Sequence, residues 1–469
     1  MRKIAIIGAG SIIFCKTLVL DILQTPSLRD SEFALMAPST RHTRQVAAFL
    51  NKVIEKEGLP AKVWITTDRR EALKDADYVV LTFQIGGMAA YAADSHIPMR
   101  YGVDNCIGDS LGPGGIFRAL RTIPVIRDVC ADIRDLCPSA LILNYVNPMA
   151  MIGWTLGKEN VNYVGLCHGV QTTLDLIAGY CGVDKKDVDF VCAGINHMGW
   201  FLRIEKDGED LYPRFKANME KPGYYINEKV RAEVLRNFGY FCTESTGHLS
   251  EYLPYFRKSK KAMDLYCDEP GFGGEHNAYF NFCDHVQKKY ADKLLDNEPI
   301  ELPGRSVEYC SYILEAIETG VPFRFNGNVL NHGMIENLPW DCCAEGPLYA
   351  DSTGLHRTIV GELPVQLAAL NITNINVQRL AVHAAYTGDP EDVVRAVALD
   401  PLTAAVCTLA EIREMVAEML EAEAQWLPQF AGKKLAVRGD IAIPADVVRE
   451  PVPVDPALAI MARMDELGK

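Results

Sequence analysis

A chain of 469 residues, 49% apolar and 23% charged, has the composition of an ordinary globular protein long enough for two or three domains. No stretch approaches the roughly 18–20 unbroken apolar residues that a membrane span requires, and a formal net charge of −14 argues against nucleic acid, whose partners present concentrated basic surfaces. The fourteen cysteines include no CxxC pair and no small-domain spacing, so they read as reduced thiols. Met1-Arg2-Lys3 and the apolar run after them resemble the start of a signal peptide. Gly8 and Gly10 break that run and no small-residue cleavage site follows, which makes the cytoplasm the expected location.

In chain order, Ile4 to Ile7 read as a short strand ending in Gly8-Ala9-Gly10-Ser11, with an amphipathic helix from about Phe14 to Leu23. Further strands are expected at Phe33 to Met36, Val63 to Thr66, Tyr78 to Phe83 and in LILNYV, which ends at Val146. Helices are expected across Arg44 to Glu57 and around Ile123 to Leu136. Nearly continuous apolar strands alternating with helices indicate a parallel sheet covered on both faces. Beyond them, Tyr163 to Leu166 and Val191 to Ile195 read as buried strands, Lys206 to Gly223 as turn-rich, and Thr403 to Trp426 as helical. There is no internal repeat, so the second half is expected to be an α+β body, and the proline-rich tail Pro444 to Pro456 to run along the surface or against a partner subunit.

After a buried strand, Gly8-Ala9-Gly10 allows a tight turn and close approach of backbone to a pyrophosphate at the start of the next helix. A plain strand-to-helix turn is the other reading, since Ile13 replaces the third glycine of GxGxxG. The second strand is followed by Ala37-Pro38-Ser39-Thr40-Arg41, without the carboxylate that usually meets the adenosine ribose of NAD. Ser39, Thr40 and Arg41 could instead hold a 2′-phosphate, so NADP stands beside NAD, and weakly bound NAD is a further reading. The candidate cofactor contacts are Gly8, Gly10, Ser11, Ile12, Ser39, Arg41 and Gln84.

Cys167-His168 and Asn196-His197 each follow a predicted strand. In a parallel sheet, ligands gather outside the carboxyl ends of the strands, where a thiolate and an imidazole could share one divalent ion and leave positions open for substrate. Taken singly, the cysteine reads as packing and the histidine as a hydrogen-bonded core residue. Asp109 in IGDSLGPGG could orient substrate or a water, or serve as a loop carboxylate. The run Gly112-Pro113-Gly114-Gly115 looks shaped for close approach to nicotinamide or substrate. Arg118 and Arg121, about one helical turn apart, read as surface ion-pair formers or as anchors for an anionic substrate.

The segments GAGSIIF, IGDSLGPGGIFRALRTIP, LNYVNPMA, GLCHGVQ, AGINHMGW, GHLSEYLPYF, IENLP and NITNINVQ, in this order from Gly8 to Gln378, resemble glycoside hydrolase family 4 over nearly the whole chain. Within it the likeness is greatest to the melibiase-type α-galactosidases. The resemblance implies an α/β fold: a Rossmann-like dinucleotide-binding domain over 1–195, like that of lactate and malate dehydrogenases, and an interleaved α+β domain over 196–469 for substrate, metal and oligomerisation. It implies NAD and a divalent metal, commonly Mn²⁺, with Cys167 and His197 as protein ligands and Asn147 and Asn196 holding the sugar.

The implied chemistry departs from the usual carboxylate pair, and family 4 is a named exception to that scheme. NAD⁺ takes hydride from carbon 3, the metal polarises the resulting ketone, a base removes the carbon-2 proton, the glycosidic oxygen leaves with help from an acid, water adds and the hydride returns. His168 is the expected acid, or only positions a substrate hydroxyl. His248 is the first choice for the base and Tyr252 the second.

An α-galactoside is the preferred substrate, with α-glucosides, α-glucuronides and α-galacturonides as alternatives, because Gly169 stands where melibiases commonly carry a serine. A homodimer or homotetramer is expected, with no nucleic acid or membrane partner. Two rivals from other classes are an NAD(P)-dependent sugar or hydroxy-acid dehydrogenase and a non-catalytic sugar or nucleotide sensor.

Overall fold

The computed structural model describes residues 1–290, 293, 295–296, 298–436, 438, 441–450, 453 and 455–467. Residues Met1–Val437 form one compact unit and Arg438–Lys469 a second. Six short apolar segments form parallel strands: β1 (Lys3–Ile7), β2 (Glu32–Met36), β3 (Lys62–Thr66), β4 (Tyr78–Leu81), β5 (Leu141–Asn144) and β6 (Tyr163–Gly165). Their order is β3-β2-β1-β4-β5-β6. Every residue of β4 and β5 is buried, which accounts for their unbroken apolar sequence.

Register decides where the loops open. Ile7 pairs with Met36 and Leu81, Met36 with Thr66, Leu81 with Asn144, and Asn144 with Gly165. All six strands therefore end on one line. The sheet continues with β7 (Asp189–Ile195), β8 (Met198–Lys206), β9 (Glu209–Asp210), β10 (Phe323–Leu330) and β11 (Cys343–Asp351), in the order β6-β10-β11-β7-β8-β9, and β12 (Gly354–Arg357) pairs with β11. These added strands pair antiparallel. The whole is the expected α/β architecture with an antiparallel extension.

Several expectations need correction. β4 stops at Leu81 and β5 at Asn144, both short of the apolar runs. The Asn144 side chain explains the second case, since its amide donates to the Val146 carbonyl at 3.1 Å and its oxygen accepts from the Val146 N–H at 3.2 Å, turning the chain out of the sheet. Gly112 to Gly115 open the helix Gly112–Leu136, and packing accounts for two of these glycines. A Cβ on Gly114 would lie 2.5 Å from the Gly108 carbonyl, and one on Gly115 2.6 Å from the Ser110 backbone. These glycines seat the helix against the loop that carries Asp109.

The stretch Lys206 to Gly223 contains the helix Tyr212–Met219, which buries Tyr212, Phe215 and Met219 at helical spacing. The helical pattern after Thr403 is two helices, Pro401–Val406 and Leu409–Ala422. They are separated at Thr408, which forms a capping box with Glu411. In the unit Arg438–Lys469 the helix Pro456–Leu467 is the one regular element among the described residues; positions 451, 452 and 454 of the expected tail lie outside them.

Arg118 and Arg121 are both buried, not surface residues. Arg121 donates to both Asp94 oxygens, at 2.8 and 2.5 Å, and to Glu423 at 2.9 Å, tying the helix Gly87–Arg100 to the long helix and to the end of Leu409–Ala422. Removing one member of a buried ion cluster strands the others in a medium that solvates them poorly. Arg121→Met is expected to lower stability by about 3–5 kcal/mol in urea unfolding at pH 7. A loss below about 1 kcal/mol, the scale of an exposed pair, would show that the cluster does not hold these helices.

Candidate active site

The aligned strand ends open into a cavity of about 800 Å³. Its wall follows the strands one by one: Gly8, Gly10 and Ser11 after β1, Ala37 and Pro38 after β2, Thr82 to Gln84 after β4, Tyr145 and Asn147 after β5, and Leu166 to His168 after β6. The antiparallel half contributes His197, and the segment before and within the helix Thr246–Tyr252 contributes Glu244, Ser245 and His248. Asp109 and Arg118 complete the polar lining.

Gly8 lies at φ 100°, and a Cβ there would sit 2.7 Å from the Thr82 backbone, so only glycine fits this turn. Ser11 precedes the helix Ile12–Gln24 and lines the cavity, whose phosphate-binding potential comes from the amides at that helix start. Of the other predicted cofactor contacts, Gln84 is on the wall, whereas Ile12, Ser39 and Arg41 are not. Ile12 is buried as the first residue of its helix, and the Ser39 hydroxyl caps the helix Thr40–Glu57 by accepting from the Arg41 N–H.

Cys167 follows the parallel strand β6. His197, however, does not follow a parallel strand: it ends the two-residue turn between the antiparallel β7 and β8, with φ at 63°. In the sheet, β10 and β11 lie between these two strands. Their side chains nevertheless converge, with the Cys167 Sγ 3.7 Å from the His197 Nε2. The other ring nitrogen, Nδ1, is 3.2 Å from the Ser110 Oγ, which leaves Nε2 for a ligand.

Tyr252 donates to the same Ser110 hydroxyl at 3.0 Å and is buried behind His197, off the cavity wall. Burial pushes its phenol well above the ordinary value. His248 is on the wall, its ring centroid 4.6 Å from that of His197 and its Nδ1 2.9 Å from the Ser245 Oγ. His168 is largely exposed at the rim; the Glu308 carboxylate, 3.4 Å away, raises its pKa. Asn196 is buried off the wall, beside the Glu345 carboxyl, and Asn147 is on it. Asp109 accepts from Arg118 at 2.8 Å, and its second oxygen is buried without a partner.

Four acidic or hydroxyl residues of this region escaped the sequence reading. Glu244 accepts from the Cys167 thiol at 3.2 Å. Glu251 accepts from the backbone N–H groups of Cys106, Ile107 and Gly108 at 2.5, 2.6 and 3.0 Å, fixing the loop that bears Asp109 and Ser110. Ser110 bridges Tyr252 and His197, and Glu345 is buried near Glu244 with one oxygen unpartnered. No local sequence signal singles out Glu244, whose approach to Cys167 spans 77 residues.

The cluster suits a divalent ion. Burial lowers the His197 imidazole to about 4, leaving it neutral and able to donate a lone pair. Burial, with Glu244 and Glu345, pushes the Cys167 thiol well above its ordinary range, and a bound cation would reverse that by stabilising the thiolate.

Two family models match the chain: family 4 glycosyl hydrolase over residues 3–183, and the family 4 glycosyl hydrolase C-terminal domain over residues 192–403. An alpha-galactosidase of Rhizobium meliloti (strain 1021) is 43% identical over 442 residues, covering 92% of this chain and 90% of that protein. An alpha-galactosidase of Bacillus subtilis (strain 168) is 39% identical over 441 residues, covering 92% and 100%. The fold is similar to that of a 6-phospho-beta glucosidase from Thermotoga maritima solved with manganese, NAD+ and glucose-6-phosphate, at a TM-score of 0.76 and 22% identity, covering 91% of this chain and 99% of that one.

Glu345 yields a pH prediction. Burial, then the charge of Glu244, raises its carboxyl from 4.5 to about 8. A group raised on folding favours the folded state most fully below its unfolded pKa, and that contribution is lost as pH rises through the folded value. In the presence of a chelator, the melting temperature of Glu345→Gln minus that of the parent is therefore expected to increase between pH 5 and pH 8. Parallel melting curves across that window would show that Glu345 is not buried as a neutral acid.

Proposed function

The chain belongs to family 4 of the glycosyl hydrolases and is a glycoside hydrolase, and within that family we propose that it is an NAD- and divalent-metal-dependent α-galactosidase. The observation that carries the choice of sugar is the identity of 43% and 39% to two alpha-galactosidases, each over 92% of the chain. The cavity supports an uncharged substrate. Among the described residues Arg118 is the one arginine or lysine on the wall, and Asp109 already holds it. A sugar carboxylate or phosphate would find no free arginine or lysine on that wall.

When bound, NAD⁺ supplies a hydride acceptor that later returns the hydride, and the divalent ion supplies a Lewis acid. The turn at Gly8, Gly10 and Ser11 would hold the pyrophosphate, and Cys167 and His197 the metal. Ala37 and Pro38 offer the ribose no charge, and the engagement of Ser39 as a helix cap favours NAD over NADP.

His168 is the proposed acid: its proton, retained toward neutral pH by Glu308, passes to the departing glycosidic oxygen. His248 is the proposed base for the carbon-2 proton, because it lies on the wall whereas Tyr252 lies behind it. Asn147 and the unpartnered oxygen of Asp109 orient sugar hydroxyls, and the buried Asn196 supports the turn that presents His197. Over one turnover a water is consumed and a free sugar and an alcohol are released, with the cofactor unchanged.

All fourteen cysteines are free thiols, which fits the cytoplasmic location we propose. No helix among the described residues is long and apolar enough to cross a membrane.

Incubation with Mn²⁺, NAD⁺ and a reducing agent against nitrophenyl α-galactoside, α-glucoside, α-glucuronide and α-galacturonide tests the reading. The galactoside is expected to lead in kcat/KM by about 10-fold or more, without net reduced cofactor. His248→Ala is expected to cost about 10²–10⁴-fold in kcat and to abolish exchange of the carbon-2 proton with deuterium from solvent. Accumulating NADH would identify a dehydrogenase instead, and a preferred uronide would overturn the galactoside assignment.

A further inference from the structure

We propose that Glu244 is a third protein ligand to the divalent ion held by Cys167 and His197, and that Gly169 exists to admit its carboxylate. The proposal rests on the metal-dependent reading above. The distances Cys167 Sγ to Glu244 Oε1, Cys167 Sγ to His197 Nε2 and His197 Nε2 to Glu244 Oε1 are 3.2, 3.7 and 3.8 Å. The same three atoms form a triangle whose centre is about 2.1 Å from each corner, the length of an ordinary bond from nitrogen or oxygen to a small divalent cation. A thiolate bond to such an ion is longer, about 2.3 Å, so an ion set slightly off the plane of the three atoms would reach thiolate, imidazole and carboxylate together.

Gly169 is the first residue of the helix Gly169–Cys181, and its backbone is not in the left-handed region, so its conformation does not call for glycine. Space does. A Cβ at this position would lie 1.7 Å from the Glu244 Oε1 and 2.5 Å from its Cδ. Any side chain at residue 169 therefore moves the carboxylate away from the cysteine two residues earlier. Glu244 itself is held at φ 68°, as His197 is at φ 63°. Both residues adopt a backbone conformation that costs a non-glycine residue free energy and that persists where surrounding structure enforces it. With three protein donors, an ion that prefers six oxygen, nitrogen or sulfur atoms keeps three positions for sugar oxygens and water.

A mutant cycle read by Mn²⁺ binding tests this independently of turnover. Chelator-stripped protein with saturating NAD⁺ is titrated with Mn²⁺ by calorimetry, with free Mn²⁺ followed by electron paramagnetic resonance. Glu244→Gln, which keeps side-chain volume, is expected to raise Kd by about 10–100-fold. Gly169→Ala is expected to raise it comparably in the parent, but by less than about 2-fold in Glu244→Ala, where there is no carboxylate left to displace. Melting temperature and far-ultraviolet circular dichroism establish that each variant is folded.

If Cys167→Ser weakens binding while Glu244→Gln leaves Kd within about 2-fold, the third ligand is overturned and the metal site stands. If Cys167→Ser also leaves Kd unchanged, the metal reading itself falls. If Gly169→Ala costs as much with Glu244→Ala as without it, the glycine does not act through Glu244.

Discussion

The site depends on one geometric constraint, the common line on which six parallel strands end. Backbone hydrogen bonding sets Ile7, Met36, Thr66, Leu81, Asn144 and Gly165 side by side. Segments far apart in sequence must then leave the sheet at the same edge, and five of the six line one cavity. Cys167 owes its position to this constraint. His197 does not, because it reaches the cavity from a tight turn in the antiparallel extension. The cluster of Cys167 and His197 is therefore a junction between the two halves of the sheet, and both must be folded before its side chains meet.

Charged groups in and around this junction pair with one another or with backbone donors. Arg118 is matched by Asp109, Arg121 by Asp94 and Glu423, and Glu251 by three backbone donors. One oxygen each of Asp109 and Glu345 is buried without a hydrogen-bond partner. A buried polar atom without a partner is costly, and Asp109 lies on the cavity wall, where a polar ligand would satisfy it.

Much of this was legible in the sequence, for a physical reason. A strand followed by Gly8-Ala9-Gly10, or by Cys167-His168, is shaped by its own neighbours, so local pattern sufficed to place it. The resemblance to a family supplied roles that pattern alone leaves open between ligand and core residue. Gly114 and Gly115 misled because glycine serves helix packing as readily as ligand approach, and only the positions of Gly108 and Ser110 decide between them. Glu244 and Glu345 were invisible because their significance arises from approach across 77 residues and more; among 61 acidic residues nothing local distinguishes a carboxylate that will be buried beside a thiol.

Ser110 links the remaining parts. Its hydroxyl lies between the Tyr252 phenol and the His197 Nδ1, and the loop that carries it is clamped by Glu251, the residue before Tyr252. The helix Thr246–Tyr252 thus controls the histidine twice, once by the phenol and once by the carboxylate that positions the loop. A ring held this way presents Nε2 in a fixed direction, and fixed direction is what a metal ligand needs, since a rotated ring would offer the ion a proton instead of a lone pair. Tyr252, buried and with its phenol far from ionising, is well suited to that holding role. In the proposed mechanism proton transfer falls to the wall residue His248, one turn earlier on the same helix, so that orientation and acid-base chemistry would be divided between two side chains of one short element.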